Sequence, residues 1–262
     1  MENLIAYLLL GAFAGTIAGL FGVGGGLIIV PVLAIIFKNQ GIANDIIMHL
    51  AIGTSLATII VTSISSVVSH HRRGAVLWPV FLQLAPGIVV GAFAGAYIAH
   101  QISSDVLKMG VGIFALIVAV KMLLDVKPQA HRELPGKVGM TLAGGIIGIV
   151  SALIGIGGGT LTTPFLLWCN RTIHNAIATS AACGLPIAIA GATGYVVVGW
   201  SSSLLPQWSS GYVYWPALIG VVLASVFFAP LGAWLTHRLP VGILKKLFAL
   251  LLVAIGVKLL LL

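Results

Sequence analysis

The stretch "GTIAGLFGVGGGLIIVPVL", residues 15–33, decides how this chain is read, because it sets a glycine cluster inside an apolar run long enough to be one membrane helix. Glycine costs about 1 kcal/mol per helix position relative to alanine, so Gly22, Gly24, Gly25 and Gly26 predict a break. Broken backbone in hydrocarbon leaves N–H and C=O groups without partners, which is tolerated only beside a cavity or inside protein. A helix restarting near Leu27 turns free N–H groups and the positive end of its dipole towards that cavity.

The stretch has a twin. "GVGGGLIIVP" (22–31) lies over "GIGGGTLTTP" (155–164), 133 positions later, and Gly11 and Gly15 match Gly144 and Gly148 at the same offset. "HLAIGTS" (49–55) lies over "HNAIATS" (174–180), Trp78-Pro79 over Trp215-Pro216, and "GAYIAH" (95–100) over "GAWLTH" (232–237). Lys108 and Lys121 match Lys245 and Lys258. The chain is thus expected to hold a first transmembrane repeat (1–125), a cytoplasmic linker (126–135) and a second transmembrane repeat (136–262).

Of the 262 residues, 60% are hydrophobic and 7% charged, against about 25% charged in a soluble domain. Such a chain cannot coat a water-facing surface, and eight apolar blocks, near 4–37, 42–69, 75–99, 106–124, 136–169, 172–200, 212–236 and 241–262, mark membrane segments. The net charge of +8 belongs to short loops beside the bilayer and implies no nucleic-acid partner. "MENLIAYLLL" lacks the basic start of a signal peptide and is expected to stay in the mature protein. Cys169 and Cys183 form neither a CxxC nor a zinc spacing, and the chain calls for no metal or cofactor.

Basic residues orient the segments. If all eight blocks cross once, Lys and Arg divide 7 to 6, which favours neither orientation. If blocks one and five fold back at their glycines, Lys38, Lys108 and Lys258 lie on one side and the other 10 on the opposite side. The second arrangement fits the positive-inside tendency. At 34 residues each, blocks one and five would run roughly 51 Å as straight helices, well beyond a hydrocarbon core. The expectation is an all-α polytopic membrane protein of two homologous, inverted repeats, with helices 1 and 5 broken or re-entrant and both termini periplasmic.

Helix N-termini stripped of Cβ atoms make anion sites, so the cradle is expected around Gly24, Gly25, Gly26 and Leu27 in the first copy and Gly157, Gly158, Gly159 and Thr160 in the second. Thr160, Thr162 and Thr163 add hydroxyls in the second copy only, so the two sides of the cavity differ chemically. Glycines also permit close helix packing, and Gly11/Gly15 with Gly144/Gly148 suit that role. His49 and His174 are each followed by a Thr-Ser step; Thr54, Ser55, Thr179 and Ser180 are candidates to orient the anion, and His49 and His174 to balance its charge or carry protons. "HHRRG" (70–74) reads as a topology anchor. Apart from Asp45, near a block start, no carboxylate sits inside a block, which disfavours a cation substrate.

The duplicated "GLFGVGGGLIIVPVL" and "ALIGIGGGTLTTPFL", each followed by a TS helix and separated by a polar linker, resemble the sulfite exporter TauE/SafE family of membrane permeases over essentially the whole chain. The resemblance implies alternating-access movement of sulfite or an organosulfur anion such as a sulfonate across the bacterial inner membrane, with no enzymatic activity. Protons are a candidate co-substrate and a homodimer a candidate assembly. An anion channel is the alternative.

Overall fold

The computed structural model describes residues 2–21, 25–124, 133–236 and 241–261. Its helices are α1 (Glu2–Phe21), α2 (Gly26–Asn39), α3 (Asn44–Arg72), α4 (Trp78–Gln101), α5 (Ser104–Leu123), α6 (Lys137–Ile154), α7 (Gly159–Trp168), α8 (Ile173–Gly199), α9 (Trp215–Thr236) and α10 (Val241–Leu261). The eight blocks expected from hydropathy become ten helices because blocks one and five each divide, one between Phe21 and Gly26 and the other between Ile154 and Gly159. Among the described residues, α3, α4, α5, α6 and α8 are long and apolar enough to cross a membrane.

Both faces of the bundle are apolar, as a bilayer solvent requires. On α5, Val106, Met109, Ile113, Ile117 and Val120 are exposed at helical spacing, while Leu107, Val111, Ala115 and Ala119 are buried on the opposite side. At the centre lies α3, whose residues 46 to 59 are all buried.

Helix directions follow from which residues meet. A Cβ at Gly95 would lie 2.7 Å from the Ile149 carbonyl oxygen, and Gly87 and Gly91 similarly face Thr141 and Gly145, so α4 and α6 run parallel. Parallel packing also joins α4 to α8, since the Leu77 N–H donates to Thr179 Oγ1 at 3.0 Å and Gly194 meets Ala96 near the far ends. Gly11 and Gly15 of α1 meet Val221 and Ser225 of α9, another parallel pair. By contrast, α3 and α8 run antiparallel, with Gly53 beside Tyr195, Leu56 beside Gly191 and Ser63 beside Gly184. An antiparallel pair is also formed by α5 and α10, where Gly112 meets Leu260 and Gly256 meets Leu116.

The packing role expected for Gly11, Gly15, Gly144 and Gly148 is what these contacts describe. A Cβ at Gly15 would sit 2.7 Å from the Ser225 Cα, and one at Gly148 would sit 2.5 Å from the Ile88 carbonyl oxygen. Without a hydrophobic driving force between helices in lipid, such close backbone approach supplies the packing energy.

The block expected at 212–236 starts as a helix only at Trp215. Before it, β1 (Ser209–Ser210) pairs antiparallel with β2 (Val213–Tyr214) across a turn in which Gly211 has φ 53°. The Tyr212 N–H donates to the Tyr195 carbonyl at 3.1 Å, which docks this hairpin on α8.

Candidate functional site

The two glycine motifs touch. A Cβ on Gly26, the first residue of α2, would fall 2.5 Å from the Gly155 carbonyl oxygen and 3.0 Å from the Ile156 Cα. Only glycine at 26 lets the start of α2 close on the chain leaving α6. Gly155 ends α6 with φ 77°, a left-handed cap, and its N–H donates to the Ser151 carbonyl at 2.9 Å. From α3, the Ser55 hydroxyl donates to the Gly155 carbonyl at 2.9 Å, so this oxygen is held by the TS step of the other half. Ile59 fills the gap between the motifs, 3.1 Å from the Gly26 Cβ position and 3.6 Å from that of Gly157.

The second motif is enclosed by α8. Gly158 caps α7 and packs on the Ser180 carbonyl and the Gly184 N, with Cβ distances of 2.8 and 3.1 Å. Thr163 Oγ1 and Ser180 Oγ are 2.7 Å apart, joining α7 to the second TS step.

Equivalent positions of the two motifs have different conformations and surroundings. Gly25 caps α2 with φ 72°, whereas Gly158, its counterpart, has φ −60°. Residues 25–31 are all buried, while Gly159, Thr160 and Leu161 are half-buried. Among the described residues, the buried hydroxyls of Ser151, Thr160 and Thr162 have no hydrogen-bond partner, and all three lie on or beside the second motif. In a protein interior such hydroxyls are normally satisfied, so three together leave binding capacity for a polar group. Ser151 was not visible as a site residue in the sequence, and its only signal is its place one turn before Gly155.

Gly25, Gly26, Leu27, Ser55, Gly157, Gly158, Gly159, Thr160 and Ser180 gather at or beside this junction; Gly24 lies outside the described residues. Thr54 and Thr179 each hold the backbone of another element. Thr54 Oγ1 accepts from the Tyr214 N–H at 3.0 Å and Thr179 Oγ1 from the Leu77 N–H, so each receives the backbone just before the Trp-Pro that opens α9 or α4. Thr54→Val and Thr179→Val are each expected to cost about 1 kcal/mol by stranding that N–H, with the two losses additive, as thermal unfolding in detergent would read.

The histidines do not meet. His49 is 4% exposed, its Nε2–H donates to the Ala99 carbonyl at 2.9 Å, and its ring lies 5.0 Å from that of Tyr212. His174 is exposed in the first turn of α8. Cys169, between α7 and α8, is buried.

A bundle with apolar inner and outer faces, helices ending at glycine motifs in its interior and unsatisfied hydroxyls beside them is a multi-pass membrane transport protein. The model of the family "Sulfite exporter TauE/SafE" matches residues 7–259, and the chain belongs to that family. It is similar to a probable membrane transporter protein of Haemophilus influenzae, 38% identical over 251 residues covering 95% of each chain. Another relative is the probable membrane transporter protein YunE of Bacillus subtilis, 26% identical with 98% of this chain and 97% of that one covered. A third, of Methanocaldococcus jannaschii, is 26% identical with 97% and 94% covered. No solved structure matches the chain.

Proposed function

We propose that this protein carries a small sulfur oxyanion, sulfite or an organosulfonate, across the bacterial inner membrane by alternating access, and that the junction of the two glycine motifs holds the anion. The observation that carries the reading is the set of unpartnered hydroxyls of Ser151, Thr160 and Thr162 around the N-terminus of α7. Helix N-termini offer backbone N–H donors and a positive dipole end, and hydroxyls complete an oxyanion's shell without bringing a counter-charge. His49 stands apart from the cradle, six residues before Ser55 and roughly 9 Å along α3, where its part is in the packing against Tyr212.

Inverted repeats and re-entrant hairpins belong to the same reading. In it, α1–α5 and α6–α10 are equivalent, and the antiparallel crossing of α3 with α8 and of α5 with α10 supports opposite directions for the two halves. Both α6 and α8 run parallel to α4 with only α7 between them, which supports a hairpin returning to the side it left. Lys38, Lys108 and Leu259, the neighbour of Lys258, line one small cavity, as the folded-back count of basic residues requires and the eight-crossing count does not. Sites at the meeting of such repeats are a common plan in secondary transporters.

The test is sulfite flux in proteoliposomes. Thr160→Val with Thr162→Val keeps shape and removes two hydroxyls, and is expected to lower flux about tenfold with unchanged thermal stability. Wild-type flux in the double variant would overturn the placement of the anion, and absence of saturable anion flux in the wild type would overturn the function.

A further inference from the structure

An open surface cavity of about 430 Å³ lies along the C-terminal turns of α3, lined by the exposed residues Ser65, Val68, Ser69, Arg72 and Arg73. Four of these carry donor groups, and none of the four has a side-chain hydrogen bond or ion pair among the described residues. Ser65, Ser69 and Arg72 stand at i, i+4 and i+7, which places them on one face.

The same face continues inward. Thr62, Thr58 and Ser55 extend it at alternating spacings of three and four, ending at the hydroxyl that bonds the Gly155 carbonyl. Along it burial falls from complete at Ser55 and Thr58 to open at Ser65 and Ser69. The inner hydroxyls are already spent as donors, since Thr58 donates to the Ser55 carbonyl at 2.6 Å and Thr62 to the Ile59 carbonyl at 3.2 Å. Free donors therefore collect at the outer end. The helix C-terminus there carries roughly half a negative charge, which two guanidinium groups outweigh.

We propose that this cavity is a holding site for an oxyanion at one mouth of the protein, in which Arg72 and Arg73 grip the oxygens and Ser65 and Ser69 donate hydrogen bonds. Guanidinium forks match the paired oxygens of sulfonate, sulfite or phosphate groups, which a compact ammonium does not. The occupant's chemistry is shared by a free sulfur oxyanion and by the phosphate of an anionic lipid. The free-anion case rests on the transport reading above and extends it with a waiting position outside the glycine junction.

The experiment labels Val68→Cys with a neutral maleimide in the full-length protein, held in nanodiscs of phosphatidylcholine. Cys169 and Cys183 are both buried, so background reaction is low. Methanesulfonate, which does not consume the reagent, is expected to slow labelling, whereas sodium chloride at equal ionic strength does not. In Arg72→Gln/Arg73→Gln the half-protecting concentration is expected to rise about tenfold. Protection that appears only when phosphatidylglycerol replaces part of the lipid upholds the site with a headgroup as its source. Equal protection by chloride, no protection in either lipid, or protection indifferent to the arginines overturns it. Labelling needs no turnover, so protection without sulfite flux leaves the cavity standing and removes the transport reading instead. Arg72→Lys/Arg73→Lys keeps the basic charge that fixes orientation, so weakened protection in that variant separates anion binding from topology.

Discussion

Leucine at Gly91 is expected to unfold the bundle at temperatures where the wild type is intact. A Cβ there would fall against the carbonyl of Gly145, and Gly87 and Gly95 on the same face of α4 meet Thr141 and Ile149 just as closely. The atoms in the way are backbone, which cannot rotate aside as a side-chain tip can. The substitution must push α4 from α6 along three turns, and a loss of about 3 kcal/mol or more is the expected size. Two controls fix the interpretation. Gly110→Leu on α5 meets nothing within 4 Å and should leave the melting temperature unchanged. Gly145→Ala, whose Cβ would lie 3.8 Å from the Gly87 carbonyl, should cost little although it lies on the same interface. Thermal unfolding of the three detergent-solubilised proteins, followed by size-exclusion retention, checks the order.

Valine at Gly26 should have the largest effect on transport. The Gly155 carbonyl and the Ile156 Cα both stand in the path of any side chain at 26, so α2 and the end of α6 must separate. Separation breaks the 2.9 Å bond from Ser55 to that carbonyl and displaces the N-terminus of α7 downstream. Misplacement of a binding group by about 1 Å commonly costs on the order of a hundredfold in rate, which is the expected fall in sulfite flux. Gly157→Ala is the matched control inside the other motif, because its Cβ would rest at an ordinary 3.6 Å from Ile59. Near-wild-type flux for Gly26→Val would mean that contact between the motifs is not required for transport.

Much of the fold could be read from short-range pattern. Glycine density located both helix breaks, and four-residue glycine spacing located the close packing at Gly11, Gly15, Gly144 and Gly148, because both effects act within a turn or two of the residue itself. Roles that depend on distant partners were hidden. Thr54 and Thr179 looked like substrate hydroxyls beside Ser55 and Ser180, yet their partners Tyr214 and Leu77 are 160 and 102 residues away. His49 and His174 look alike in sequence, but one is covered by Tyr212 from a hairpin that hydropathy does not reveal, and the other is in the open. Ser151 has no pattern of its own, and it becomes informative only through its lack of a partner.

The unequal glycine motifs bear on the energetics of a carrier. On the proposed reading of an alternating-access carrier with inverted repeats, two identical halves would give inward-facing and outward-facing forms related by two-fold exchange of the halves, with equal free energy. Here one motif is sealed by Leu27, Ile28 and Ile29, while the other has half-buried Thr160 and Thr163 with Thr162 buried between them. That difference splits the degeneracy, and about 1.4 kcal/mol of splitting makes one form tenfold more populated than the other. In a carrier of the proposed kind, such a bias would set the side of the membrane on which the empty protein waits.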